Sequence, residues 1–312
     1  MPLFEISKTK LVSLEQTNFP SEKKLQHLVE ENLGTIFNCR FVASEFPTGP
    51  THGGRIDTLA LSEDNNPVII EYKKVESSEL INQSLFYLAW INDHRGDYKI
   101  AVQQALGNNV KVDWSDVRVI CIAPNYRKYD LHAVQVIGAN IELWQYRYFK
   151  PGLVYLEEVF RKSYTPFSES AQQGKSPVMI AAGKKAAITR ATGSYTFEQR
   201  LKNMPQKIQN LALEIQEYVM SLDPAMAEVP KKFYVAYKIS QNIVCMVVRK
   251  SQINLYLKLD PGTIKNRPPN SSRDVTDIGH YGTGDFEILI KDRGDLETAK
   301  PFIEMAYRKV GG

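Results

Sequence analysis

Residues 54–74 read GRIDTLALSEDNNPVIIEYKK. RIDTLALS alternates as a strand, EDNN supplies turn residues, and PVIIEYKKV continues as a second strand whose first half is apolar. Alternate side chains of a strand share a face, so Glu71 and Lys73 are expected on one face and Ile70 and Tyr72 on the other. A plain surface ion pair, worth about 0–1 kcal/mol, is one account of these charges. It fits poorly with residues 67–70, which read as buried on both faces. The hairpin also returns Asp57 toward Glu71, and two converging carboxylates repel unless a cation lies between them. One or two carboxylates, a backbone carbonyl and water make a site for a hard divalent ion. The expected ligands are Asp57, Glu71 and the Ile70 carbonyl, and the expected ion is Mg²⁺ or Mn²⁺. Lys73 is placed to assist a nucleophilic water and to neutralise charge on a phosphate oxygen. The reaction that suits this set is metal-assisted hydrolysis of a phosphodiester.

Outward from this stretch, FPSEKKLQHLVEENLGTIF reads as a helix capped by Ser21, with Leu25, Leu28, Val29 and Leu33 as its apolar stripe. RFVASEF is a strand that completes a meander. SSELINQSLFYLAWINDH is an apolar helix; YKIAVQQAL, VRVICIA and NIELWQYRYF read as strands, with a helix from about Arg127 to Val136 between the last two. The expected order is α-β-β-β-α-β, then β-α-β, giving an α/β fold around a mixed sheet.

Asp57, then Glu71-Tyr72-Lys73 closing an apolar strand, resembles the PD-(D/E)XK nuclease superfamily. GRIDTLAL, PVIIEYKK and LINQSLFYLAWI together are similar to the NucS-type endonuclease domain, over roughly Pro20 to Tyr129. Ile56 stands where the superfamily signature has Pro, a position that varies. The resemblance implies a restriction-endonuclease-like αβββαβ core and a DNA endonuclease in repair or defence. Gln83 and Tyr87, four apart on one helix face, match the Q-x-x-x-Y of RecB-type nucleases, which implies that they orient the scissile strand or the metal ligands; a core aromatic is the other reading of Tyr87. The superfamily often adds an acid from the first helix, for which Glu30 is the choice, with Glu31 behind it. Arg55 either pairs bidentately with a phosphate or forms an ion pair with an acid such as Glu45, and Lys74 is a further candidate phosphate contact. His52, in a Gly/Pro/Thr-rich loop, is read as having no role.

At 43% hydrophobic and 24% charged, the 312 residues have an ordinary globular composition with room for two domains. Residues 1–162 carry 18 basic and 20 acidic side chains and residues 163–312 carry 21 and 15, so any phosphate-binding surface has to be local. Cys39, Cys121 and Cys245 stand singly, without disulfide or zinc spacing. The first residues lack a signal-peptide core and no apolar run reaches the length of a membrane span, so a cytoplasmic protein is expected.

The expected division is a nuclease-like domain at 1–162, a linker at 163–194 rich in small and polar residues, and a smaller α+β domain at 195–312. In the last, a helix kinked or started at Pro205 precedes strands at KKFYVAYKI, NIVCMVVRK, INLYLKL and FEILIK and a closing helix. The long loop before FEILIK holds Lys265, Arg267, Arg273 and His280, with Tyr281 between glycines, as candidate contacts to phosphates and a stacked base; an exposed loop without such a role is the alternative. This C-terminal segment resembles an uncharacterised domain found after nuclease-like domains. The nearest rival to an active nuclease is a catalytically silent scaffold for nucleic acid or protein. A third possibility is a C-terminal domain that binds a small ligand or partner protein and regulates the first. A homodimer through ELWQYRYF as an outer strand is also open.

Overall fold

The computed structural model describes residues 2–49, 53–76, 79–137, 139–161 and 195–310. They form two compact units, Met1–Thr192 and Gly193–Gly312. The segment read as a linker, and His52, lie outside the described residues.

The first unit is a seven-stranded mixed sheet with helices on both faces. A detached hairpin, β1 (Phe4–Ser7) and β2 (Lys10–Ser13), precedes it, followed by β3 (Gln16–Thr17). Ser21 caps α1 (Glu22–Glu31) as expected, its Oγ accepting the Lys24 N–H at 3.2 Å. After α2 (Leu33–Phe37), the meander β4 (Arg40–Pro47), β5 (Arg55–Leu61) and β6 (Pro67–Tyr72) is antiparallel throughout. Two helices, α3 (Glu79–Asp93) and α4 (Arg95–Leu106), then cross to β7 (Arg118–Ala123), parallel to β6; α5 (Lys128–Ile137) crosses to β8 (Ile141–Phe149), parallel to β7. The sheet order is β3-β8-β7-β6-β5-β4, with β9 (Leu153–Arg161) on β8.

Two expectations are corrected. YKIAVQQAL is helix rather than strand: Tyr98, Ala101 and Val102, at helical spacing, are the buried positions of α4. Joining parallel neighbours requires a crossover, which helices supply. ELWQYRYF is not an outer strand, because β7 and, beyond its end, β3 hold one side of β8 while β9 holds the other, leaving no free edge there for a second copy.

The core lies on both sides of the sheet. Val68, Ile70, Tyr72, Ile120 and Ile122 pack with Leu25, Val29 and Leu33 of the first two helices. Ile69, Val119 and Cys121 pack with Leu80, Tyr87, Leu88 and Ile91 of α3. Covered on both faces, β6 and β7 read as nearly continuous apolar runs, and every residue of β6 is buried, Glu71 included. At the opposite end from Glu71, buried Arg118 donates from Nε and Nη2 to the two oxygens of buried Glu142 at 2.6 and 2.8 Å, and Trp144 Nε1 adds a third hydrogen bond at 3.1 Å.

The second unit is a six-stranded antiparallel sheet, β10 (Ala227–Pro230), β11 (Val235–Lys238), β12 (Asn242–Val248), β13 (Ile253–Leu257), β14 (Ser272–Asp274) and β15 (Phe286–Ile290), in the order β10-β11-β12-β13-β15-β14. Helices Gln206–Ser221 and Arg293–Lys309 pack one face around Ile215, Met246, Leu255, Phe286 and Ile303. Tyr256 and Val275 pack with Cys245 and Val247 in a separate cluster. Among the described residues, no helix is long and apolar enough to cross a membrane.

Glu142→Gln leaves Arg118 buried without the carboxylate that takes both of its N–H groups and is expected to cost about 3–5 kcal/mol in chemical denaturation. The double change Arg118→Met with Glu142→Leu should recover most of that loss.

Candidate active site

β5 and β6 bring Asp57 and Glu71 together where the hairpin opens. The Asp57 N–H donates to Glu71 Oε1 at 3.1 Å and the Tyr72 N–H donates to Asp57 Oδ2 at 3.0 Å. Glu71 has 0% exposure, and its Oε2 is buried with no hydrogen-bond partner. Burial and then the neighbouring Asp57 push the Glu71 carboxyl well above the ordinary carboxylate range. Burial pushes Asp57 up to about 6, against the Tyr72 N–H and Lys73, which favour its charged form. An orphaned carboxylate oxygen in a centre that resists ionisation fits a cation.

Lys73 follows β6, its N–H bonded to the Ile122 carbonyl at 2.9 Å. Its Nζ lies 3.6 Å from Glu22 Oε1, and Glu22 Oε2 accepts the Lys74 N–H at 2.9 Å. Lys74 Nζ reaches the Pro20 carbonyl at 3.0 Å. Glu22 also raises the carboxyls of both Asp57 and Glu71. It is thus the acid of α1 that faces the pair.

Glu30 is committed elsewhere. Its Oε1 accepts from Thr58 Oγ1 at 2.7 Å and from Gln26 Nε2 at 3.0 Å, and Thr58 Oγ1 also meets the Tyr72 hydroxyl at 3.2 Å. Eight residues of helix separate Glu22 from Glu30, a rise of roughly 12 Å, so only one of them stands at the strand end where Lys73 emerges. Glu31 is exposed. Among the described residues, no group of three or more His, Cys, Asp or Glu side chains could hold a metal ion. The carboxylates that converge are Asp57 and Glu71, while Glu30 is bonded to Thr58 and Gln26.

Ile70, the expected backbone ligand, lies inside β6. It is paired with Thr58 on one side and Ile120 on the other. The main-chain groups of a strand so flanked serve the ladder; the chain leaves the ladder after Tyr72.

Gln83 and Tyr87 meet on α3, Gln83 Nε2 donating to the Tyr87 hydroxyl at 3.1 Å. Burial raises the hydroxyl's pKa, against the pull of Gln83. A Cβ on Gly54 would lie 3.0 Å from both Cε1 and the hydroxyl oxygen of Tyr87. Tyr87 is thus both core and site, a buried post against which β5 begins. Thr48 holds the same entry, exchanging hydrogen bonds with Gly54 at 2.8 and 2.9 Å. Arg55 pairs with Glu45 at 3.0 Å and keeps a largely exposed side chain. Beneath Glu71, Cys121 meets Ser84 at 3.1 Å, and burial pushes its thiol up to about 12, so it serves packing.

Sequence reasoning passed over Glu22 and Gln26. Gln26 is buried, and its Nε2 reaches the Asp57 carbonyl at 2.7 Å and Ser44 Oγ at 3.1 Å. Its place one position after Leu25, among polar neighbours, reads as solvent-facing. For Glu22 a signal existed: an acid in the first turn, directly after the cap.

Of the residues expected to touch nucleic acid in the second unit, Lys265 and Arg267 are exposed, whereas Arg273 forms an ion pair with buried Glu287.

No protein-family profile matches the chain. A Haemophilus influenzae protein described only as uncharacterized is 27% identical over 312 residues, covering 99% of this chain and 100% of that protein. Among solved structures, EndoMS bound to double-stranded DNA matches at 17% identity with a TM-score of 0.31, over 46% of this chain and 64% of that one. A repair endonuclease from Pyrococcus abyssi matches at 20% identity with a TM-score of 0.23, over 42% of this chain and 49% of that one. The likeness thus spans less than two thirds of either protein. At such scores it identifies neither chemistry nor substrate.

Asp57 in the folded chain binds its proton more tightly than in the unfolded chain, so its contribution to stability is present below about pH 4 and lost as pH rises through about 6. Denaturation in EDTA from pH 4 to 8 should find Asp57→Asn level with wild type at the acid end and more stable by on the order of 2–3 kcal/mol above pH 7. Gly54→Ala, which crowds Tyr87, is expected to cost about 1–3 kcal/mol in the same assay.

Proposed function

We propose that the first unit is a metal-dependent nuclease that hydrolyses phosphodiester bonds in DNA. The observation that carries this reading is the buried, partnerless Oε2 of Glu71, whose Oε1 takes the Asp57 N–H, with Lys73 at the same strand end. Asp57 and Glu71 would hold one Mg²⁺ or Mn²⁺, hard ions that take oxygen ligands and keep several waters. When bound, the ion polarises a phosphoryl oxygen and acidifies water. Lys73 neutralises charge that develops on the phosphate, and Glu22, 3.6 Å from it, keeps its ammonium at the site. Gln83 and Tyr87 keep the start of β5, and with it Asp57, in place. Arg55 and Lys74 contact the flanking phosphates, Arg55 exchanging Glu45 for phosphate. The residue pattern shared with NucS-type endonucleases, from Gly54 through Tyr87, supports DNA as the substrate and a role in repair or defence.

Calorimetric titration of Mg²⁺ and Mn²⁺ should show binding to wild type that Asp57→Asn and Glu71→Gln each abolish. Single-stranded, duplex, branched and mismatched DNA should then include at least one substrate whose cleavage falls 100-fold or more in Asp57→Ala and Lys73→Ala. If both variants cut like wild type, the reading is wrong. Metal binding without cleavage of any substrate would favour a scaffold that has kept the fold.

A further inference from the structure

The second unit carries an aromatic construction that the nuclease reading does not use. Phe233 and Tyr281 stack with ring centroids 4.4 Å apart and planes 19° from parallel, although they are 44% and 48% exposed. Lys232 Nζ lies over Phe233, 5.1 Å from its centroid. Lys232 and Tyr281 thus both lie against the Phe233 ring, and Tyr281 stays half exposed. The neighbouring residue, His280, lies flat on buried Tyr256, at 4.2 Å and 6°.

These rings are held in place from below. Gly282 and Gly284 have φ of +90° and +118°, and an added Cβ would come within 2.6 Å of Cys245 Cβ and of the Leu257 carbonyl oxygen, respectively. Only glycine lets the loop lie this close to the sheet. The Thr283 N–H donates to Cys245 Sγ at 3.3 Å, and Asn242 Nδ2 donates to Thr283 Oγ1 at 3.1 Å. Under His280, buried Glu287 accepts from Asn254 at 2.7 Å and pairs with Arg273. Burial works against its charged form, but the bonds from Arg273 and Asn254 help hold its carboxyl below the ordinary value.

We infer that this surface is a base-stacking platform for single-stranded nucleic acid: a base stacks on the exposed ring of Tyr281, and Lys232, over the neighbouring Phe233, takes a flanking phosphate. A preset aromatic ladder suits single strands, because every base has a π-face to offer, whereas a duplex keeps its bases in their own stack. With residues 195–312 carrying 17 basic and 14 acidic side chains, stacking rather than bulk charge has to supply the affinity. The inference is independent of the nuclease reading and stands even if Asp57 and Glu71 do no chemistry.

The test is fluorescence anisotropy of labelled oligothymidylate with the full chain in EDTA, where metal-dependent cleavage plays no part. Tyr281→Ala and Phe233→Ala should each weaken binding at least fivefold, and their combination more, while Tyr281→Trp retains it. An abasic oligomer of equal length should bind several-fold more weakly than oligothymidylate. With one or two phosphates neutralised, log K should fall against log salt with a slope of roughly −1. Thermal melting of each variant checks that the fold is kept, and Tyr129→Ala, which removes an exposed ring of the first unit, serves as the control. No binding by wild type, equal binding of the abasic oligomer, or full affinity in the melted-checked double variant would each overturn the platform. The last outcome would point to a protein partner for these rings.

Discussion

A carboxylate inside a hydrophobic sheet sets the terms for the first unit. Glu71 lies on a central strand covered by helices on both faces, beside Asp57 and with one oxygen unmatched. Burying a charge without a counter-charge is among the costliest things a fold can do. The same chain shows how such a cost is met when structure alone is at stake, since Arg118 and Glu142 satisfy each other with two short hydrogen bonds in the same sheet. At the Glu71 end the described residues supply the Asp57 and Tyr72 N–H groups and one lysine. A pair left short of positive charge in an otherwise well-satisfied sheet is the kind of local inconsistency expected at functional sites.

Much of the surrounding structure serves to keep that pair in place. Gln26 and Glu30 join α1 to β5 through the Asp57 carbonyl and Thr58, while Glu22 steadies the Lys73–Lys74 corner. On the other face, Tyr87 and Thr48 govern how β5 enters the sheet, and Gly54 is the residue that lets Tyr87 come so near. Helices positioned by their apolar stripes thereby carry a second, polar duty at particular turns.

The second unit solves a different problem. Its helices cover one sheet face with a conventional apolar core, and glycines bring a loop down onto Cys245 and Leu257. The result is rigid exposed rings, which lose little conformational freedom on binding. One unit holds an electrostatically unfinished pocket and the other an aromatic ladder, and each is complete within its own fold.

The sequence by itself determined the meander and the pairing of the two carboxylates. Period-two alternation in RIDTLAL, the turn residues EDNN and the apolar run PVIIEY leave one hairpin register, and that register places Asp57 by Glu71. The Ser21 cap and the Gln83–Tyr87 pair were legible for the same reason, that they depend on spacing within one element. Tertiary structure decided what depends on contacts between distant elements. YKIAVQQAL has residues suited to either element, and only the parallel arrangement of β6 and β7 demands a helical crossover there. LVYLEEVFR became β9 because β8 offered it an edge. Whether Glu22 or Glu30 faces Lys73 turns on where α1 sits along the strand, a distance set by packing of Leu25 and Val29 against the sheet. The pairing of Phe233 with Tyr281, 48 residues apart, likewise exists only once the loop is pressed onto the sheet.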